Sequence, residues 1–196
     1  MWLVVSVATA VAVIALFWQR PLQNAWTVMA GRHAQPGTVL IFQFDYGYTP
    51  QDITWRVGDR VTIALRNQSP SHWHEMMIGR GADVTPTAFG PLPTQFEEDF
   101  WSGVRVTISH ARMVDNIVLH DAIVTFRGPQ PSVATGGNFS PTLQPGGALD
   151  MTFTVPDKPG VWHYGCFVQQ YIHYMDGMKG TITILPASSL PASSPS

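Results

Sequence analysis

One short segment concentrates the residues able to hold a soft metal ion. Residues 166–180 read CFVQQYIHYMDGMKG, with the only cysteine of the chain, Cys166, followed seven residues on by His173 and five after that by Met178. Thiolate, imidazole and thioether are the soft and borderline ligands that copper prefers. A trigonal His2Cys plane with a weak axial Met needs a second histidine. The segment 71–80, SHWHEMMIGR, offers two, His72 and His74. Two apart in a strand, both would face the same side, so spacing does not choose between them. Met175 competes with Met178 in the same way. The pattern reads as a mononuclear type 1 copper site on a β-sandwich, used to carry electrons.

The bulk composition excludes several other classes. A single cysteine leaves no internal disulfide framework, no Cys-rich zinc site, no four-thiolate iron–sulfur cluster and no two-cysteine dinuclear copper site. The net charge of −2 carries no basic block, so nucleic acid is not an expected partner. The 196 residues fit one domain with attachments, and 45% hydrophobic content against 12% charged is enough for a packed core. Gly 17 and Pro 16, spread along the chain, suit many short strands joined by turns.

The elements that must position the ligands follow from alternation. Residues 39–45 (VLIFQFD) are β-branched and aromatic enough for a strand. Ile53, Trp55 and Val57 alternate with polar residues, Gly58-Asp59 is a turn signal, and Val61, Ile63 and Leu65 alternate again. This predicts a hairpin with one apolar face, half of a sandwich. Strands are expected at 104–108, 117–126, 149–155, 161–166 and 180–185. Residues 81–100 and 128–147, rich in Gly, Pro, Ser and Thr, are expected as long loops, with Glu97, Glu98 and Asp99 a solvated acidic cluster. Residues 161–166 lead into the ligand segment, and 180–185 leave it.

Residues 2–18 (WLVVSVATAVAVIALFW) are uncharged and apolar. As a helix they would span about 25 Å, near the lower limit for a bilayer. Trp2 and Trp18 bracket the run as interfacial aromatics, and Pro21 would end it. The run is longer than the apolar region of a usual signal peptide and no basic segment precedes it, so an uncleaved transmembrane anchor over 1–20 is expected. Residues 21–36 read as a linker, 37–186 as the folded domain and 187–196 as a disordered tail. Arg20 and Arg32 follow the run, which by the positive-inside rule favours a cytoplasmic domain. The site chemistry points the other way, to a single-pass protein with its metal domain on the extracytoplasmic, periplasmic side.

Three places in the chain resemble the cupredoxins, the family of plastocyanin, auracyanin and azurin. Residues 48–63 (YTPQDITWRVGDRVTI) resemble that family's second and third strands. Residues 74–79 (HEMMIG) match the segment of its first histidine ligand, and residues 160–182, with Gly177-Met178-Lys179-Gly180, match its C-terminal Cys–His–Met loop. The resemblance implies an eight-stranded all-β Greek-key sandwich, one-electron transfer with redox protein partners, and one copper ion held by His74, Cys166, His173 and Met178. It also implies that the His173 ring edge faces solvent as an electron exit. Met178 would be a weak axial ligand, and Phe167, Tyr171, Ile172, Met175 and Met76 would keep water from the metal. Two departures stand out. Six residues separate Cys166 from His173, more than in many small members. Glu75 also stands where the family often has Asn, so only its backbone N–H could donate to the thiolate.

Remaining polar residues have plainer readings. His163, three residues before Cys166, should point to the opposite face, and His33, His110 and His120 should be structural. Asn67 and Asn138 each begin a glycosylation sequon. One recognisable site lacks the extra histidines of a type 2 or trinuclear centre, so an electron-transfer protein, with no small-molecule substrate, is expected rather than an enzyme acting alone. The other readings are a copper-containing subunit of a larger oxidoreductase, a red-copper site using the Glu75 carboxylate, and a copper-binding or delivery protein.

Overall fold

Fifteen strands and one helical turn carry the described part of the chain. The computed structural model describes residues 37–88, 90–119, 122–125, 133–134, 139–169 and 171–188. The expected anchor over 1–20, the linker over 21–36, all but the first residues of the tail, and His33, His120 and Asn138 lie outside them. No helix among the described residues is long and apolar enough to cross a membrane.

In chain order the strands are β1 Thr38–Phe44, β2 Gly47–Thr49, β3 Asp52–Arg56, β4 Arg60–Asn67, β5 His74–Glu75, β6 Met77–Arg80, β7 Asp83–Thr87 and β8 Gly90–Gln95. They continue as β9 Glu98–Asp99, β10 Arg105–Leu119, β11 Ala122–Thr125, β12 Val133–Ala134, β13 Ser140–Thr154, β14 Gly160–Gly165 and β15 Lys179–Leu185. The one helix among the described residues, α1, is Ile172–Met175. One sheet runs β11-β10-β13-β4-β1-β2, with β12 and β5 attached to β10 and β13, and the other runs β3-β15-β14-β6-β9. A single apolar cluster between them draws on both, including Ile41, Ile63, Leu65, Leu149 and Phe153 from the first and Ile53, Trp55, Ile78, Trp162 and Ile184 from the second. Trp55 meets Phe153 across the layers edge to face at 5.5 Å. The all-β sandwich expected from the alternation is therefore present.

The expected hairpin over residues 53–65 is not. Both apolar faces are where the alternation put them, but β3 pairs in parallel with β15, while β4, in the opposite sheet, pairs in parallel with β1 and antiparallel with β13. The turn at Gly58 is an arch over the edge of the sandwich. Gly58 N–H donates to the Val155 carbonyl, and Val57 N–H to the Leu185 carbonyl, one from each sheet. Alternation marks which face is buried and is silent on which strand lies beside it.

The two expected loops also hold strands. Within 81–100, β7 and β8 pair as a hairpin, and Glu98–Asp99 pairs with β6. Glu98 takes a forked contact from Arg80 at 3.0 and 2.8 Å, so this acidic residue is paired rather than merely solvated. Residues 140–147 belong to the long β13, whose pairing with β10 absorbs Pro145 and the glycines through register shifts. The strand expected at 104–108 is likewise the first part of the long β10.

Candidate metal centre

Register brings the ligand segments to one end of the sandwich. β6 runs antiparallel to β14 with Met77 opposite Gly165, so His74, three residues earlier, lies just beyond the end of β14, where Cys166 sits. His74 itself belongs to the other sheet, because β5 pairs with β13 through Leu143. The chain crosses between layers at Met76, which is fully buried. On the other side, β14 pairs with β15 with Gly165 opposite Lys179, and Cys166 N–H donates to the Met178 carbonyl at 3.2 Å. Met178 N–H in turn donates to the His173 carbonyl at 2.9 Å. The six residues between Cys166 and His173 are taken up by a bend and the helical turn α1, which returns His173 toward Cys166.

Three donors converge as a result. His74 Nδ1 lies 3.1 Å from His173 Nδ1, Cys166 Sγ lies 3.4 Å from His173 Nδ1, and Cys166 Sγ lies 3.8 Å from His74 Nδ1. All three residues are fully buried, and they form the one cluster of three or more His, Cys, Asp or Glu donors among the described residues. Donors in a trigonal plane around a metal, with bonds of about 2.0–2.1 Å to nitrogen and about 2.3 Å to sulfur, would stand roughly 3.5–3.8 Å apart. The observed triangle is near that size, slightly contracted. Both imidazoles turn the same nitrogen inward, and the outer nitrogens meet oxygens. His173 Nε2 is 3.0 Å from Gln169 Oε1, and His74 Nε2 faces Asp45 Oδ1 at 3.4 Å. Such outer contacts fix the tautomer and orientation of metal-binding histidines. His74 Nε2 otherwise has no well-aligned partner, and Nδ1 of each ring has only the other donors to face. The donor set fits a soft or borderline metal ion.

Electrostatics keeps all three donors neutral in the metal-free protein. Burial, then the neighbouring His173, lowers His74 to about 4, against the pull of Asp45. Burial, then His72, lowers His173 as well. Burial, then the charge of Glu75, pushes the Cys166 thiol well up. Neutral imidazoles are ready to ligate, and the thiol must lose a proton to do so.

The choices left open by spacing are separated by burial. His72 is half-buried, 3.1 Å from Asp45 Oδ1, and outside the donor cluster. Met178 is fully buried in the core beside Cys166, whereas Met175 is 51% exposed. His163 projects outward between buried Trp162 and Tyr164, into a cleft of about 600 Å³ that it shares with Asp52 and Lys179. His110 is exposed and pairs with Asp150 at 2.9 Å. Asn67 is buried and its Nδ2 donates to the His72 carbonyl at 2.9 Å, so the sequon there serves to hold the histidine segment.

Glu75 is buried, and its carboxylate turns away from the cluster. Oε1 accepts Phe167 N–H at 2.8 Å and Oε2 accepts the Ser140 hydroxyl at 2.9 Å. Its backbone N–H points at Cys166 Sγ across 3.4 Å. The carboxylate is thus a brace for the cysteine loop and no member of the donor set, against the red-copper reading.

Two expectations about the surroundings are corrected. The His173 ring edge does not face solvent, because His173 has 0% exposure under Gln169 and the Tyr46 ring, whose centroid is 5.1 Å away in an edge contact. Ile172, like Met175, is 51% exposed and seals nothing. Phe167 does lie inward, stacked on Tyr174 at 4.4 Å and capped by Phe96 at 5.3 Å. Asp45, Tyr46, Ser140 and Gln169 were not singled out by sequence. The first three reach the site from distant segments. Gln169 sits four residues before His173, a spacing that could have pointed to it.

No family model matches the chain, and neither does any curated protein. Solved structures similar to it include the dithionite-reduced auracyanin of Roseiflexus castenholzii, 21% identical over 76% of this chain and 98% of that one, with a TM-score of 0.44. Auracyanin A of Chloroflexus aurantiacus, described as a blue copper protein, is 18% identical over 76% of this chain and 98% of that one, with a TM-score of 0.36. A copper-containing nitrite reductase of Thermus scotoductus is 12% identical, with a TM-score of 0.43, and this chain corresponds to 36% of its length.

Proposed function

We propose that the chain is a cupredoxin-like blue copper protein that carries single electrons between redox protein partners. His74 Nδ1, Cys166 Sγ and His173 Nδ1 would hold one copper ion in a trigonal plane, with the Met178 thioether as weak axial ligand. The observation that carries this reading is the buried triangle of those three donors, with Met178 hydrogen-bonded through its backbone to both Cys166 and His173. The metal supplies a one-electron Cu(I)/Cu(II) couple. The protein supplies fixed geometry, since each donor is tied to a strand of the sandwich or to its neighbour, so little rearrangement accompanies a change of charge. Glu75 N–H draws electron density from the sulfur, and Met76 and Phe167 keep water out.

In this reading residues 37–186 form the copper domain, residues 1–20 a single membrane anchor and 21–36 its linker, with copper on the extracytoplasmic side. The apolar run between Trp2 and Trp18 supports the anchor. Metal analysis and voltammetry of the full chain test the function. One copper per chain with one reversible one-electron wave is expected, whereas copper uptake without a reversible wave would favour storage or delivery.

A further inference from the structure

The cover over His173 raises the question of where an electron leaves the site. His173 is wholly buried, so a partner protein cannot touch its ring. The atoms above it belong to two residues that do reach solvent. Gln169 is exposed and places Oε1 3.0 Å from His173 Nε2, and Tyr46 is 41% exposed with its ring on that imidazole at 5.1 Å. Both residues hold positive φ, Gln169 at 54° and Tyr46 at 66°, and Tyr171, which opens α1, holds 70°. Non-glycine residues adopt that region at an energetic cost, and such strained positions gather at functional sites. Gln169, Tyr46 and Tyr171 are three of the five positive-φ non-glycine residues among the described residues.

We propose that the Gln169 side chain, which covers the His173 imidazole together with the Tyr46 ring, is the electron port of this protein and the contact that a one-electron acceptor or donor makes. The inference rests on the copper reading above. Gln169 is a positioning residue: its Oε1 accepts the Nε2–H of His173, which leaves Nδ1 free to ligate, and it extends the ligand to the surface by one hydrogen bond. In each transfer one electron passes between the site and the partner. No bond forms or breaks, and the Nε2 proton stays on His173. The Tyr46 ring, in edge contact with the same imidazole at 5.1 Å, shields it from water.

The test uses Gln169→Leu and Tyr46→Ala in the full chain. In the metal-free protein, nitrogen-15 NMR should find His173 as the Nε2–H tautomer with a slowly exchanging proton. Gln169→Leu should lose that protected proton, and Tyr46→Ala should speed its exchange. In the copper-loaded protein, Gln169→Leu should slow oxidation by hexacyanoferrate(III) by about tenfold, the lower end of what removing an outer partner of a ligating histidine costs. Its visible band should be kept. A His173 bearing its proton on Nδ1, or a Gln169→Leu protein oxidised as fast as wild type, would overturn the port. Unchanged proton exchange in Tyr46→Ala would overturn the shielding of His173 by Tyr46. A wild-type protein with no thiolate-to-copper band would sink the copper reading instead, which the metal-free NMR result does not depend on.

Discussion

The backbone N–H of Glu75 points at the sulfur of Cys166 across 3.4 Å, while the carboxylate of the same residue accepts the N–H of the residue after that cysteine at 2.8 Å. One residue thus sets both the sulfur and the direction in which its loop departs. Glu75 also receives Gln43 Nε2 at 3.0 Å and the Tyr48 hydroxyl on its carbonyl. It joins β1, β2, β5, β13 and the cysteine loop at one point.

Removing that carboxylate leaves Phe167 N–H and the Ser140 hydroxyl buried without partners. Glu75→Ala should cost about 2–6 kcal/mol, as two buried groups lose their bonds at roughly 1–3 kcal/mol each. Glu75→Gln, which keeps one acceptor, should lose less. Urea unfolding of the metal-free proteins measures both, and equal midpoints for wild type and Glu75→Ala would contradict the brace.

Metal-free stability should fall in mild acid. A histidine in the unfolded chain titrates near 6.5, whereas burial and His173 hold folded His74 at about 4. Between those values the unfolded chain takes a proton that the folded chain refuses, so stability drops as pH falls from about 6.5 toward 4 and levels below. The full effect for His74 is about 3 kcal/mol, and His173, shifted in the same direction, adds to it. Unfolding midpoints at pH 7.5 and 5 measure the loss, and a flat profile would contradict the burial of neutral imidazoles.

Copper loading should release a proton. The Cys166 thiol is raised by burial and then by Glu75, so it is protonated at neutral pH, while both histidines are already neutral. Binding of Cu(II) should release about one proton per metal, and affinity should rise with pH through neutrality. Calorimetry in buffers of different ionisation enthalpy counts the proton, and a count of zero would mean that the thiol does not ligate.

Gly180, the second residue of β15, lies two residues after Met178, where a Cβ would run into the Tyr164 ring and the Gln51 carbonyl. Gly180→Ala should destabilise the fold by about 1–3 kcal/mol through overpacking. The same shift should loosen the Met178 end of the site, seen as a broadened copper spectrum. Unchanged stability would mean that Tyr164 yields freely.

Much of this architecture was legible in the sequence because it depends on local patterns. The alternation of Ile53, Trp55, Val61, Ile63 and Leu65 gave the buried faces, and the run from Cys166 to Gly180 gave the donor types and their order. What stayed hidden depends on pairing across long separations. The arch at Gly58 is decided by β15 and β1, more than 100 residues apart in the chain, and nothing within residues 52–67 distinguishes it from a hairpin. The burial of His173 is decided by Tyr46, from the turn after β1. Composition also misled at 140–147, where Pro and Gly sit inside a strand at register shifts.

The central claim is that Cys166, His74 and His173 hold one copper ion in a plane. The most direct measurement is the visible absorption and EPR spectrum of the full chain loaded with one equivalent of copper, beside Cys166→Ser. An intense thiolate-to-copper band in wild type, absent from Cys166→Ser, is the predicted result. Copper bound by wild type without that band, or a band that survives in Cys166→Ser, would contradict it.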